Sequence, residues 1–192
     1  MLLSGFRSLS KNLNPRPCTV ATYSPIRSFS RSPVKAMPSL LVKTAGPDAI
    51  NTVADLRVVI TLTNTGNDTL KLLKHPHTVL FSLPTNNFDI IHKLSGARPR
   101  FRGVLVKYVP MASGDESSYT VLAPDQTFSV EHNLGRKYDF TNSGEGEYDI
   151  SPHKVFYTVN ADSSISSFEA QTSSHSVKVS GVLAVSYLHP IT

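Results

Sequence analysis

His75 and His77 stand one residue apart around Pro76, and His92 follows at a distance that a folded chain can close. Two imidazoles with a third in reach are the beginning of a zinc site, which needs three or four N, S or O ligands oriented by outer partners. The pair follows an apolar run and encloses a proline, so a solvated loop is the better reading. Arg98, Arg100 and Arg102, interleaved with Phe101, form a basic aromatic cluster that suits phosphate. Three cations are nevertheless fewer than a nucleic-acid footprint requires, and no nucleic-acid partner is expected. Glu145 and Glu147 around Gly146 fall short of the roughly six oxygens that a calcium loop supplies. Ser, His and Asp are all present, but no Gly-x-Ser-x-Gly elbow presents a nucleophile. Asn67-Asp68-Thr69 is a glycosylation sequon, usable only on the secretory route. The expectation from these residues is no catalytic site, no metal site and no cofactor.

The elements that would carry these side chains are β-strands. Over residues 55–74 (DLRVVITLTNTGNDTLKLLK), Leu56, Val58, Ile60 and Leu62 alternate with Arg57, Thr61 and Thr63. A pleated strand puts such residues on opposite faces, and only Val59 breaks the pattern. Asn64, Gly66, Asn67 and Asp68 supply turn chemistry before Leu70 and Leu72 resume the apolar register, which predicts a hairpin or a corner between two sheets. Similar runs lie at 40–44, 79–83, 88–94, 104–109, 119–122, 127–132, 147–150, 155–159, 165–170 and 177–187, with prolines falling between them. Strands at that spacing, without sustained helical periodicity, predict an all-β, immunoglobulin-like antiparallel β-sandwich over residues 39–192. Gly146-Glu147-Tyr148-Asp149-Ile150 has the form that opens a late strand in such sandwiches, with Tyr148 bonding back to the backbone as a tyrosine corner. Ile150 stands where a disulfide cysteine is usual, so apolar packing would replace the bridge. Ala123-Pro124-Asp125-Gln126 reads as another corner, after which Phe128 and Val130 should face inward.

Charge separates this body from what precedes it. Residues 1–38 carry six basic side chains and no acid, whereas residues 39–192 carry thirteen basic against fourteen acidic ones. The basic balance therefore belongs to the leader, and the body has no overall field to attract polyanions. Leu2, Phe6, Leu9 and Leu13 share a helical face opposite Arg7 and Lys11, and the rest of the leader is rich in Ser and Arg. That is the composition of a mitochondrial transit peptide, with an Arg-x-Phe/Ser type of processing site at Phe29 and Ser30. A disordered tail or a wrongly joined first exon is the alternative. Cys18 is the single cysteine and lies in the leader, so the body has neither disulfide nor thiolate chemistry. No run approaches the ~20 apolar residues of a membrane span, so no transmembrane segment is expected.

Several ordered blocks look like one family. Residues 62–73 (LTNTGNDTLKLL), 106–110 (VKYVP), 121–124 (VLAP), 140–146 (FTNSGEG) and 175–181 (HSVKVSG) resemble the N-terminal pro-domain of fungal deuterolysin-type zinc proteases, nearest the peptidyl-lysine metalloendopeptidases of mushrooms. The resemblance runs in order from about residue 40 to about residue 187. It implies a catalytic domain bearing His-Glu-x-x-His, in which two histidines bind zinc and the glutamate activates water. None of the seven histidines of this chain is followed by Glu, so no residue here inherits those roles. The implied function is a non-catalytic module that binds a lysine-specific metalloendopeptidase catalytic domain as inhibitor or folding assistant. A fragment of a secreted protease and a mitochondrial interaction module are the alternatives. A lysine-selecting protease needs an acidic pocket, so Arg100, Arg102 or Lys178 could occupy it; solvated strand-edge cations are the plainer reading of the same residues. The family is secreted, at odds with a mitochondrial leader.

Overall fold

The computed structural model describes residues 38–109 and 116–185. The expected leader with Cys18, its processing site at Phe29 and Ser30, and His189 lie outside the described residues. Strands follow in chain order as β1 (Leu40–Ala45), β2 (Ala49–Thr52), β3 (Arg57–Asn64), β4 (Leu70–Leu73), β5 (Phe88–His92), β6 (Arg100–Phe101), β7 (Tyr119–Leu122), β8 (Thr127–Asn133), β9 (Tyr138–Asp139), β10 (Gly146–Pro152), β11 (Val155–Val159), β12 (Ile165–Glu169), β13 (Gln171–Thr172) and β14 (His175–Val182). Single 3-10 turns at Val53–Asp55, Glu116–Ser118 and Leu134–Arg136 are the helical pieces among the described residues. None is long and apolar enough to cross a membrane.

The strands form one sheet in the order β13-β1-β3-β8, a second as β2-β14-β10-β5, a third as β12-β11-β4-β7, and a short β6-β9 ribbon. Pairing is antiparallel except for β1 with β13 and β2 with β14. Leu40, Val42, Val58, Ile60 and Leu62 of the first sheet join Phe88, Ile90, Tyr148, Ile150, Val177 and Val179 of the second in a single buried cluster. Two sheets burying their apolar faces against each other make an all-β, immunoglobulin-like sandwich. The alternation over residues 56–62 is realised, with Leu56, Val58, Ile60 and Leu62 fully buried and Val59 turned outward.

β3 and β4 belong to different sheets, so the turn chemistry at 65–69 makes a corner rather than a hairpin. Asn64 fixes it from inside. Its buried amide donates to the Asp68 carbonyl at 2.8 Å and the Leu122 carbonyl at 2.9 Å, while Oδ1 accepts from the Gly66 N–H at 3.0 Å. The tyrosine corner forms as expected: Tyr148 Oη donates to the Gly144 carbonyl at 2.6 Å. Gly146 enters β10 at φ +148°, and a Cβ there would lie 2.1 Å from His92 Nε2, so only glycine fits. Ile150 is fully buried and fills the place of the absent disulfide with packing.

Two expected strands are absent. At 79–83 the chain turns, with Val79 and Leu80 buried, the Val79 carbonyl accepting from His132 Nε2 and the Phe81 N–H bonding the Thr78 carbonyl, and side chains tie down the segment just before it. Thr78 Oγ1 donates to the His75 carbonyl, Thr85 Oγ1 to the Pro76 carbonyl, and Asn87 Nδ2 to the Thr78 carbonyl. At 104–109 the β-prone run finds no partner strand, and β propensity measures the fit to a pleated, half-buried surface. The strand expected over 88–94 ends at His92, leaving Leu94 exposed in a turn. Phe128, expected inward, is 38% exposed on edge strand β8, although Val130 and His132 of the same parity do turn toward the core.

Candidate partner-binding surface

Of the cations singled out in the sequence, three arginines share one edge. β6 pairs with β9 through Arg100 opposite Asp139 and Phe101 opposite Tyr138. Arg98 bonds Asp89 at 2.7 Å, and Arg102 approaches Asp139 at 3.4 Å. The Asp139 carboxyl is held below its ordinary pKa first by the hydroxyl and N–H of Thr141, then by the charges of Arg102 and Arg100. These exposed pairs are screened by water and add little to stability. Lys178 stands elsewhere, on the outward face of β14 opposite Glu147 of β10. No ion pair among the described residues joins it to the arginine edge.

The histidines separate in the same way. The His75 ring lies 4.2 Å from Tyr157, meets Tyr108 edge-on at 4.8 Å and stacks on His77 at 5.3 Å. Burial and then the neighbouring His77 depress its pKa, so it sits there as a neutral aromatic. His92 is used in the core instead. Its ring meets Tyr148 edge-on at 4.9 Å, Nδ1 accepts from the Ser95 N–H at 3.1 Å, and Nε2 donates to the Glu145 carbonyl at 3.2 Å. Among the described residues, no three His, Cys, Asp or Glu side chains gather as a metal site.

Beside this aromatic group runs the segment 104–109, Val-Leu-Val-Lys-Tyr-Val. Val104 N–H bonds the Pro84 carbonyl at 3.0 Å, and Tyr108 packs on His75 and on Phe81 at 6.3 Å. Among the described residues no strand pairs with it. Its side chains are exposed except for the half-buried Tyr108, with Leu105 at 93% and Val109 at 69%. Lys107, between them in sequence, is exposed and has no ion-pair partner among the described residues. The sequence signal was there in five β-prone or apolar residues around one lysine; that they stay unpaired is a tertiary outcome.

A polar cluster that sequence reading missed lies between the end of β8 and the start of β5. Lys137, only 4% exposed, places Nζ 3.1 Å from Asn87 Oδ1 and 3.0 Å from His132 Nδ1, and 5.2 Å from the centre of the Phe88 ring. His132 Nε2 lies 2.9 Å from the Val79 carbonyl, which can only accept, so Nε2 carries the proton and Nδ1 accepts from the ammonium. Burial lowers Lys137 to about 8. Burial and then the Lys137 charge lower His132 to about 4. The cluster holds together segments 78–88 and 132–137 and is closed to solvent, which makes it a structural pin rather than a reactive lysine.

Asn67 is exposed on the 65–69 corner. It borders a cavity of about 460 Å³ shared by Asp68, Thr158, Asn160 and Phe168.

No family profile matches the chain. It is 43% identical over 157 residues to the peptidyl-Lys metalloendopeptidase of Armillaria mellea, and 44% identical over 156 residues to that of Grifola frondosa. In each case the match takes in 79% of this chain and 44% of the relative, so the chain spans less than half the length of these curated relatives. Among solved structures, a Pyrococcus furiosus CARDB domain in complex with di-metal ions aligns over 74% of this chain and 88% of its own, at 12% identity and a TM-score of 0.36. A solution structure of a CARDB domain from the same organism covers 74% and 95%, at 15% identity and a TM-score of 0.31. At those scores the likeness carries no functional argument.

Proposed function

We propose that the β-sandwich is a non-catalytic, pro-domain-like module of the peptidyl-Lys metalloendopeptidase type, which binds the catalytic part of such a protease as inhibitor or folding assistant. The observation that carries this reading is the identity of 43–44% over 79% of this chain, against a part of the relatives that is less than half their length. A β module of this kind with no His-Glu-x-x-His in its sequence has surfaces to offer rather than reacting groups. The contact is chemically the same whether the catalytic part is carried on one polypeptide with this domain or on another.

Cationic groups are the natural means of such binding, because a protease that selects lysine must present negative charge to it. Arg100, Arg102 and Lys178 are exposed and therefore candidates. The test is to add the 192-residue chain to an active peptidyl-Lys metalloendopeptidase and follow cleavage of a lysine peptide, and separately to refold the denatured protease with and without it. Saturable inhibition, or a raised yield of active protease, is expected. No effect in either assay and no complex by size-exclusion chromatography removes the proposal.

A further inference from the structure

We propose that residues 104–109 are the docking strand of this domain, with Lys107 entering the lysine-selective pocket of the protease and Leu105 and Val109 flanking it; this rests on the reading just given and names its surface. The inference starts from an anomaly of pairing. Val104, Val106, Tyr108 and Val109 are residue types that strands favour, yet among the described residues the segment joins no sheet. Its alternate residues 105, 107 and 109 run apolar, cationic, apolar, with Leu105 and Val109 among the most exposed large hydrophobic side chains described. A solitary exposed leucine needs no explanation, but a β-prone run with free main-chain groups is a template for strand addition. Peptide segments that bind this way supply affinity through the main chain and specificity through alternate side chains, which here are Leu105, Lys107 and Val109.

Charge selects the occupant. A pocket that discriminates for lysine must offer acidic groups to an ammonium, and Lys107 presents one that no described carboxylate engages. The other candidates are less well placed to enter a pocket. Arg100 lies in the β6–β9 ribbon opposite Asp139, Arg102 is bonded to the same carboxylate, and Lys178 lies within the four-strand sheet opposite Glu147. Tyr108, seated on His75 and Phe81, and Val104, tied to Pro84, anchor the segment, while Leu105, Lys107 and Val109 are exposed.

Inhibition of the active Grifola frondosa peptidyl-Lys metalloendopeptidase is measured with the full chain and with its Lys107→Glu, Leu105→Ser/Val109→Ser and Arg100→Ala/Arg102→Ala forms. All of these positions are exposed, so wild-type thermal unfolding is expected throughout. Lys107→Glu and the Leu105/Val109 form should each raise the inhibition constant by at least about tenfold, and by more than the arginine form raises it. As a readout that needs no variant, the amides of 104–109 in the wild-type chain should gain hydrogen-exchange protection when the protease is added. Unaltered inhibition by Lys107→Glu together with unprotected 104–109 amides, while the wild type still inhibits, overturns the docking strand and leaves the partner standing. Free cleavage at Lys107 without inhibition also overturns it. Absence of any complex with the wild-type chain overturns the partner and this segment together.

Discussion

Asn64 and Lys137 are two polar side chains buried for opposite reasons. Asn64 satisfies three backbone groups at once, which is why an amide and not an aliphatic residue ends β3. Asn64→Ala should lower unfolding stability by roughly 2–3 kcal/mol, measured by urea denaturation. Asn64→Asp should do worse, because a carboxylate would face the Asp68 and Leu122 carbonyls with no proton to give. Lys137 instead brings a charge into the core with neutral acceptors around it. Its folded pKa, near 8, lies below that of a free lysine, so between about pH 8 and 10.5 the unfolded chain holds a proton that the folded chain has released. This contribution makes stability rise with pH in that window, by up to roughly 3 kcal/mol. Lys137→Met should remove that rise when the two chains are compared by denaturant unfolding at pH 7 and pH 9.5. His132 acts at the other end of the scale. Its pKa is depressed to about 4, so its contribution is whole above 6.5 and is lost as the pH falls toward 4.

At the scale of elements, turns and edges decide more than the strands themselves. The tyrosine corner was legible because Gly144, Gly146 and Tyr148 have separate, local reasons to be where they are: two positive φ angles and one hydroxyl returning to the backbone four residues earlier. Tyr148→Phe should keep the fold and lower stability by roughly 1–2 kcal/mol, seen as a shift of the urea midpoint with an unchanged slope. The corner at 65–69 was legible as a turn but not as a change of sheet, since Asn, Gly and Asp serve either geometry. The runs at 79–83 and 104–109 have strand composition without strand structure. In the first, the Val79 carbonyl is taken by His132 and the chain turns, and in the second no partner strand lies beside it among the described residues. Of the proposed surface, the sequence therefore supplied the residues of 104–109 but not their freedom from pairing.

For the whole molecule the open question of location turns on the two ends of the reading. The basic, acid-free leader has transit-peptide composition, whereas Asn67, exposed on its corner, is ready for glycosylation in a secreted protein. We propose mitochondrial delivery. Residues 1–38 fused to a fluorescent reporter should carry it to mitochondria, and the full chain made in the same cells should carry no glycan at Asn67. Reporter in the secretory pathway together with a glycosylated full chain is the outcome against it. Either location leaves the sandwich unchanged, because the described core is held by packing and hydrogen bonds that do not depend on redox state.

The sequence alone determined the class of fold and the inward face of its main strand. Period-two alternation, glycines at positive φ and proline placement are local constraints that any tertiary arrangement must respect. It also determined that the histidines do not stand in a His-Glu-x-x-His motif. Only the tertiary structure decided which polar residues are pinned inside, that β3 and β4 part into different sheets, and that 104–109 stays unpaired. Those outcomes depend on which distant segments arrive as neighbours, and a one-dimensional pattern of residue types does not encode the neighbour.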